Sequence, residues 1–131
     1  MPADKVFFDT NVLLYLLSAD AKADKTEALL AVGGVVSVQV LNEFASVAFR
    51  KLKMTWPEIR EILATIQEIC EVIPLTVEIH EAGFAIAERY GFSLYDSLIL
   101  AAAAQAKCHT LYSEDMQDGQ VLQDVIVRNP F

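Results

Sequence analysis

Four acidic residues far apart along this chain, Asp9, Glu43, Asp96 and Asp115, occupy positions from which shared chemistry is easily built. Asp9 closes the apolar run VFF and precedes Asn11, and Asp115 follows the strand-like run HTLY. Glu43 and Asp96 fall on segments with helical spacing. The second of these, DSLILAAAAQA, carries almost no other charge. A parallel sheet that gathers such points at one edge makes a cluster of negative charge. Two carboxylates about 4 Å apart repel by roughly 4 kcal/mol at an effective dielectric of ~20. Several such pairs rival the whole stability of a domain, about 5–15 kcal/mol. Either some of the acids hold protons or a cation neutralises them. Oxygen ligands without histidine or thiolate select hard ions, Mg²⁺ or Mn²⁺. The chain has no contiguous D-x-D-x-D-G loop, which speaks against calcium.

Each acid also has an ordinary explanation. Asp9, Thr10 and Asn11 all favour helix caps, but three in a row exceed what one helix needs. Glu43 belongs to a polar stripe with Gln39, Asn42, Ser46 and Arg50, as on a solvated helix face. Ser93 to Asp96 fits a capping box, yet the apolar helix that follows makes Asp96 at least partly buried and in need of a partner. Ser113-Glu114-Asp115 reads as a polar turn, and Asp118-Gly119 as another. Of Asp115 and Asp118, Asp115 is expected to face inward and Glu114 outward.

The elements that must position these groups alternate. Strands are expected at 5–9, 35–38, 109–113 and 124–128, with 71–75 a short strand or connector. Helices are expected at 11–17, 21–31, 39–53, 56–70, after Thr76 as far as Gly91, and 94–107. Thr55 opens one of them with a cap, an early Pro57 and Glu58. Gly33-Gly34 and Gly91 are stops. Strands alternating with helices imply an α/β fold with a parallel sheet and right-handed crossovers. Ligands of such sheets gather at the carboxyl ends of the strands, where Asp9 and Asp115 fall.

Composition bounds the rest. The 131 residues suit one domain, 1–131, more than half apolar and therefore folded. The longest apolar runs are too short to span a bilayer, and MPADKV lacks the features of a secretory leader. A cytoplasmic protein without membrane association is expected. Cys70 and Cys108 form no metal-type spacing and read as small buried hydrophobes. A net charge of −8 argues against broad nucleic-acid binding, which needs Lys and Arg on phosphates. Arg50, Lys51 and Lys53 form the densest basic cluster, at the end of the helix carrying Glu43, with Lys107 and Arg89 weaker candidates. Trp56 and Phe92 are expected in the core.

FFDTNVLLYLL, NEFA, YDSLILAAA and LYSEDMQDG, in this order, resemble the PIN-domain family, and within it the VapC-type toxins of toxin–antitoxin pairs. The resemblance covers essentially the whole chain; its strength lies in the ordered set, since D-T-N alone is weak. It implies a three-layer α/β/α sandwich with a central parallel sheet and an endoribonuclease dependent on Mg²⁺ or Mn²⁺. Asp9, Glu43, Asp96 and Asp115 match the acidic quartet holding one or two ions. Thr10 and Ser113 match the hydroxyls beside it, and Asn11 the amide that orients the first aspartate. Metal-activated water then cuts RNA phosphodiester bonds, leaving a 5′-phosphate, with Arg50, Lys51 and Lys53 expected to meet the RNA. An antitoxin would cover the groove near the acids, and the early helices offer surfaces for it and for a homodimer.

Two other readings compete. A phosphohydrolase with Asp9 as nucleophile is disfavoured, because haloacid-dehalogenase-like enzymes carry a second Asp where this chain has Asn11. A catalytically inactive PIN-like module that binds RNA or protein is the other alternative.

Overall fold

The structure, a computed structural model, describes residues 5–131. Residues 1–4, which carry most of the segment read for a leader, lie outside it. Six strands form one sheet: β1 (Val6–Phe8), β2 (Gly34–Ser37), β3 (Cys70–Ile73), β4 (Thr110–Tyr112), β5 (Val121–Leu122) and β6 (Val125–Arg128). Their order is β3-β2-β1-β4-β6-β5, and every pairing is parallel except β5 with β6. The helices are α1 (Thr10–Leu14), α2 (Ala21–Val32), α3 (Val38–Arg50), α4 (Trp56–Ile69), α5 (Val77–Tyr90) and α6 (Leu94–Gln105); a 3₁₀ turn, Tyr15–Leu17, follows α1. This is the expected α/β/α arrangement around a mostly parallel sheet.

Phe7 and Phe8, adjacent on β1 and so pointing to opposite faces, are both fully buried. A central strand covered on both sides reads as a continuous apolar run, and VFF is such a run. The chain leaves β1 toward β2 on one side, while β4 pairs on the other. The sheet therefore has its topological switch point between β1 and β4. That is where an open α/β sheet forms a crevice beyond the strand ends.

Helix α6 is buried from Ser97 through Ala103, as its lack of charge predicts. It packs most closely on α5. A Cβ built on Gly83 would lie 2.6 Å from Leu98 Cδ2 and 3.0 Å from its Cα, so the two backbones meet there without room for a methyl. Gly91, at φ +75°, ends α5 in the left-handed conformation.

Several expectations need correction. α3 ends at Arg50, not at 53: Lys51 is its cap, and Lys53 adopts φ +56°, which cannot continue a right-handed helix. Likewise α6 stops at Gln105, before Lys107 at φ +61°. The antiparallel strand β5 was not expected. Gln123 and Asp124 both take positive φ, 50° and 69°, and turn the chain directly into β6. Trp56 is not in the core but 55% exposed, stacked on Phe49. Phe92 is half-buried against the core. Cys70 and Cys108 are buried and free, and burial pushes both thiols up to about 11, as inert core residues. Among the described residues no helix is long and apolar enough to cross a membrane.

The α5–α6 contact gives a stability test. Gly83→Ala gains about 1 kcal/mol of helix propensity, but its methyl meets a backbone atom that cannot move alone. Overpacking of that kind costs about 1–3 kcal/mol. Urea unfolding should show a net loss of up to about 2 kcal/mol; a more stable variant would show that the helices separate easily.

Candidate active site

Asp9 leaves β1 at the switch point. Its backbone N–H extends the ladder to Tyr112 O at 2.9 Å, which fixes the residue against the end of β4. The side chain is 6% exposed and caps α1, accepting from Thr10 N at 2.7 Å. It also accepts from Ser113 Oγ at 2.9 Å and from Asn11 Nδ2 at 3.0 Å. Ser113 is itself fully buried, just past β4. The three consecutive capping residues are thus divided: Asp9 caps, and the other two serve their neighbours.

Asn11 links the two strand ends. Its Nδ2 also reaches Ser113 Oγ at 3.4 Å and Asp115 Oδ2 at 3.3 Å, while its Oδ1 accepts from Glu114 N at 2.9 Å. Asp115 therefore turns toward Asp9, and its carboxylate remains exposed. Asp118 does not join them; it accepts from Asn129 N at 2.8 Å and closes the turn before β5.

Glu43 approaches from α3. Its Oε1 accepts from Thr10 Oγ1 and from Gln39 Nε2, both at 3.2 Å. Gln39 is 6% exposed and donates as well to Tyr95 O at 3.3 Å, tying α3 to the first turn of α6. The polar stripe of α3 is thus solvated only in part.

Asp96 completes the set from α6. Ser93 caps that helix through Asp96 N at 3.1 Å, and among the described residues the half-buried Asp96 carboxylate makes no hydrogen bond. The comparison with Thr55 is instructive. There the whole capping box forms, and Glu58 accepts from both Thr55 N and Thr55 Oγ1. The same pattern consumes one carboxylate and leaves the other free.

These placements set the ionisation of Asp9. Burial pushes its carboxyl up to about 6; the hydrogen bonds from Ser113 and Thr10 pull it down, and the charges of Asp96 and Glu43 push it up further. Asp96 and Glu43 therefore lie close enough for Asp9 to feel their charge. Among the described residues, however, no three acidic, histidine or cysteine side chains form a ready metal-holding group. Asp9 is occupied by three donors instead. The donor chemistry still fits a hard divalent cation: every candidate ligand is oxygen, and Asp9 carries a charge that its surroundings resist.

Three participants were not foreseen. Glu114, expected to face solvent, accepts from Tyr15 Oη at 2.5 Å and pairs with Lys22 Nζ at 2.6 Å. Lys22, and then Tyr15, hold its carboxyl below the usual range. Through its N–H on Asn11, this anchored residue steadies the loop carrying Asp115. Beside it a groove of about 370 Å³ runs from Asn11 and Asp115 past Tyr15 to Val47 and Leu52. No local sequence signal joins Tyr15, Lys22 and Glu114, which are brought together only by the fold.

A buried aspartate at the switch point of a parallel sheet, with further acids on neighbouring elements, defines an α/β protein with a candidate carboxylate site. The chain belongs to the PIN domain family, which it matches over residues 6–117. No curated protein sequence matches it. Among solved structures it is similar to a toxin–antitoxin complex from Klebsiella pneumoniae (20% identity, TM-score 0.74, covering 97% of this chain and 98% of that one). It is also similar to Mycobacterium tuberculosis VapC20, described as a sarcin-ricin loop cleaving toxin (19%, TM-score 0.70, 85% and 90%). A third is VapBC2 of Rickettsia felis bound to a DNA fragment from its promoter (19%, TM-score 0.66, 94% and 96%). At these identities the likeness is one of fold.

The Asp9 carboxyl gives a pH test. Its ordinary value is 3.8 and its folded value about 6, so between them the native state holds a proton that the unfolded chain has released. The stability contributed by protonated Asp9 is complete below the unfolded value and lost as pH rises through the folded one. In metal-free buffer, wild type should lose about 2 kcal/mol relative to Asp9→Asn between about pH 4 and pH 7.5. Parallel pH dependences of the two proteins in urea unfolding would contradict the burial of this charge.

Proposed function

We propose that this protein is a Mg²⁺- or Mn²⁺-dependent endoribonuclease and the toxin of a type II toxin–antitoxin pair. The observation that carries the reading is the buried Asp9, its carboxyl raised toward neutrality by burial and by Asp96 and Glu43. A site that resists its own negative charge is ready for a cation. Asp9, Glu43, Asp96 and Asp115 would hold one or two ions. When bound, such ions make a water molecule acidic enough to attack near neutral pH and neutralise phosphate oxygens.

The chain's own residues supply alignment. Asn11 and Ser113 fix the Asp9 carboxylate, and Thr10 and Gln39 fix Glu43. Asp96 keeps its carboxylate uncommitted. His109 precedes β4 and donates its N–H to Lys5 O beside the start of β1, at the opposite end of the sheet from the acids, so it serves no proton transfer there. RNA phosphates would meet Arg50, Lys51 and Lys53. Arg50 Nε donates to Ser46 Oγ at 3.0 Å, which lays the guanidinium back along α3 toward Glu43.

The partners follow from the same reading: an RNA substrate, a cognate antitoxin and a second copy of the chain, all in the cytoplasm. A groove of about 360 Å³ between α2 and α4, lined by Leu16, Leu30, Ile62, Ile66 and Ile69, is an apolar surface suited to the antitoxin. The absence of three gathered ligands among the described residues favours one other reading, a non-cutting PIN-like module that binds RNA or protein.

Two measurements separate them. Structured RNA should be cleaved only with Mg²⁺ or Mn²⁺, and Asp9→Asn or Asp96→Asn should lower the rate by about 10²-fold or more, the scale of losing one preorganised electrostatic group. Mn²⁺ near pH 7.5 should also raise the Tm of wild type but not of Asp9→Asn. No cutting by well-folded wild type with either ion would favour the module; cutting without metal, or undiminished in the variants, would mark a contaminating nuclease.

A further inference from the structure

Phe49, in the last turn of α3, and Trp56, the first residue of α4, stack face to face with centroids 4.1 Å apart and planes 9° from parallel. They remain 41% and 55% exposed. An indole of that size at the surface forgoes the gain of burial, so its place calls for a partner with a flat face. Its surroundings say which kind. On one side Arg50 and Lys53 line a hollow of about 460 Å³ with Phe49 and Met54. On the other, Arg60 lines a hollow of about 270 Å³ with Trp56 and Ile59.

With Lys51 these residues make four of the ten Lys and Arg in a chain of net charge −8. Among the described residues, none of the four forms an ion pair. The nearest acid in sequence to Trp56, Glu58, is committed to Thr55, and Glu61 follows a turn later. Unpaired cations around a stacked aromatic pair complement a polyanion that carries rings. Single strands bind in this way: phosphates lie along a positive groove while unpaired bases stack on aromatic side chains. A duplex keeps its bases stacked inside and offers none to such a platform.

We propose that Phe49 and Trp56 form a stacking platform for an unpaired base of single-stranded RNA, whose phosphates run over Arg50 and Lys53. This deepens the ribonuclease reading and rests on it. Helix α3 joins platform and acids, with Glu43 about 10 Å up the helix from Arg50.

Trp56 is the only tryptophan, so its fluorescence reports this platform alone. The probe is an end-labelled 2′-O-methyl oligoadenylate of about ten nucleotides, titrated in EDTA so that metal-dependent cleavage is off. Indole quenching should saturate together with the anisotropy of the label. Trp56→Leu should weaken binding roughly 5- to 100-fold, while Trp56→Phe retains most of it. The double change Arg50→Ala, Lys53→Ala should reduce the slope of log K against log salt by about 1.4, two phosphates' worth.

Binding without quenching, equal affinity in Trp56→Leu, or no binding at low salt would each overturn the platform. So would emission that follows protein concentration alone while light scattering reports a doubled mass; the pair would then be a contact between copies of the chain. The titration itself reads no cleavage, so the two ideas fail separately. Quenching by the oligomer with no cutting of RNA in a parallel assay sinks the nuclease and leaves the platform; metal-dependent cutting by a wild type that does not bind the oligomer does the reverse.

Discussion

The interaction on which this structure turns is the mutual repulsion of carboxylates held at the edge of the β1–β4 crevice. It is contained in three ways. Donors are concentrated on Asp9: a backbone N–H, a hydroxyl and an amide. Burial raises its carboxyl so that part of the charge is given up near neutrality. The remaining acids arrive on separate elements, Glu43 and Asp96 half-buried and Asp115 exposed. The polar residues at the crevice follow from this constraint. Asn11 spans the two strand ends because two carboxylates need a shared donor, and Gln39 is buried because Glu43 needs one.

Much of this could be read from the chain itself. The buried central strand announced itself as VFF, and the alternation of strands and helices gave the parallel sheet. Asp9 and Asp115 at the strand ends then followed from topology. Helix α6 was legible because an uncharged stretch is buried on every side. What escaped has physical reasons. Gln123-Asp124 lacks the Asn-Gly or Asp-Gly signature of a two-residue turn, and two residues of strand carry no period. Lys53 and Lys107 end their segments through left-handed backbone, which no lysine advertises. Trp56 was assigned by hydrophobicity, although capping placed it at a helix start, where its exposure depends on the neighbouring helix.

The site shows the same boundary. Roles set by local spacing, such as the Asp9 cap and the Ser93 cap, could be read directly. Roles set by long-range meeting could not. Tyr15, Lys22 and Glu114 lie on three separate segments, and each reads alone as a polar side chain facing water. Together they anchor the loop behind Asp115, and through Glu114 N they fix which face of the Asn11 amide meets the acids. Glu58 and Asp96 carry the lesson in smaller form: both stand three residues after a hydroxyl cap, and only tertiary placement separates a spent carboxylate from an available one.

The order of the strands has a consequence for how copies of this molecule meet. At one margin the sheet ends in β5, only two residues long and folded back antiparallel on β6. Such a margin offers too little unpaired backbone to template a neighbour's strand. The opposite margin, β3, is four residues long and begins where α4 stops, without a linker to swing it outward. Edge-to-edge polymerisation is thereby discouraged. Any self-association is directed instead to helical faces, where side-chain chemistry rather than bare backbone decides the mate.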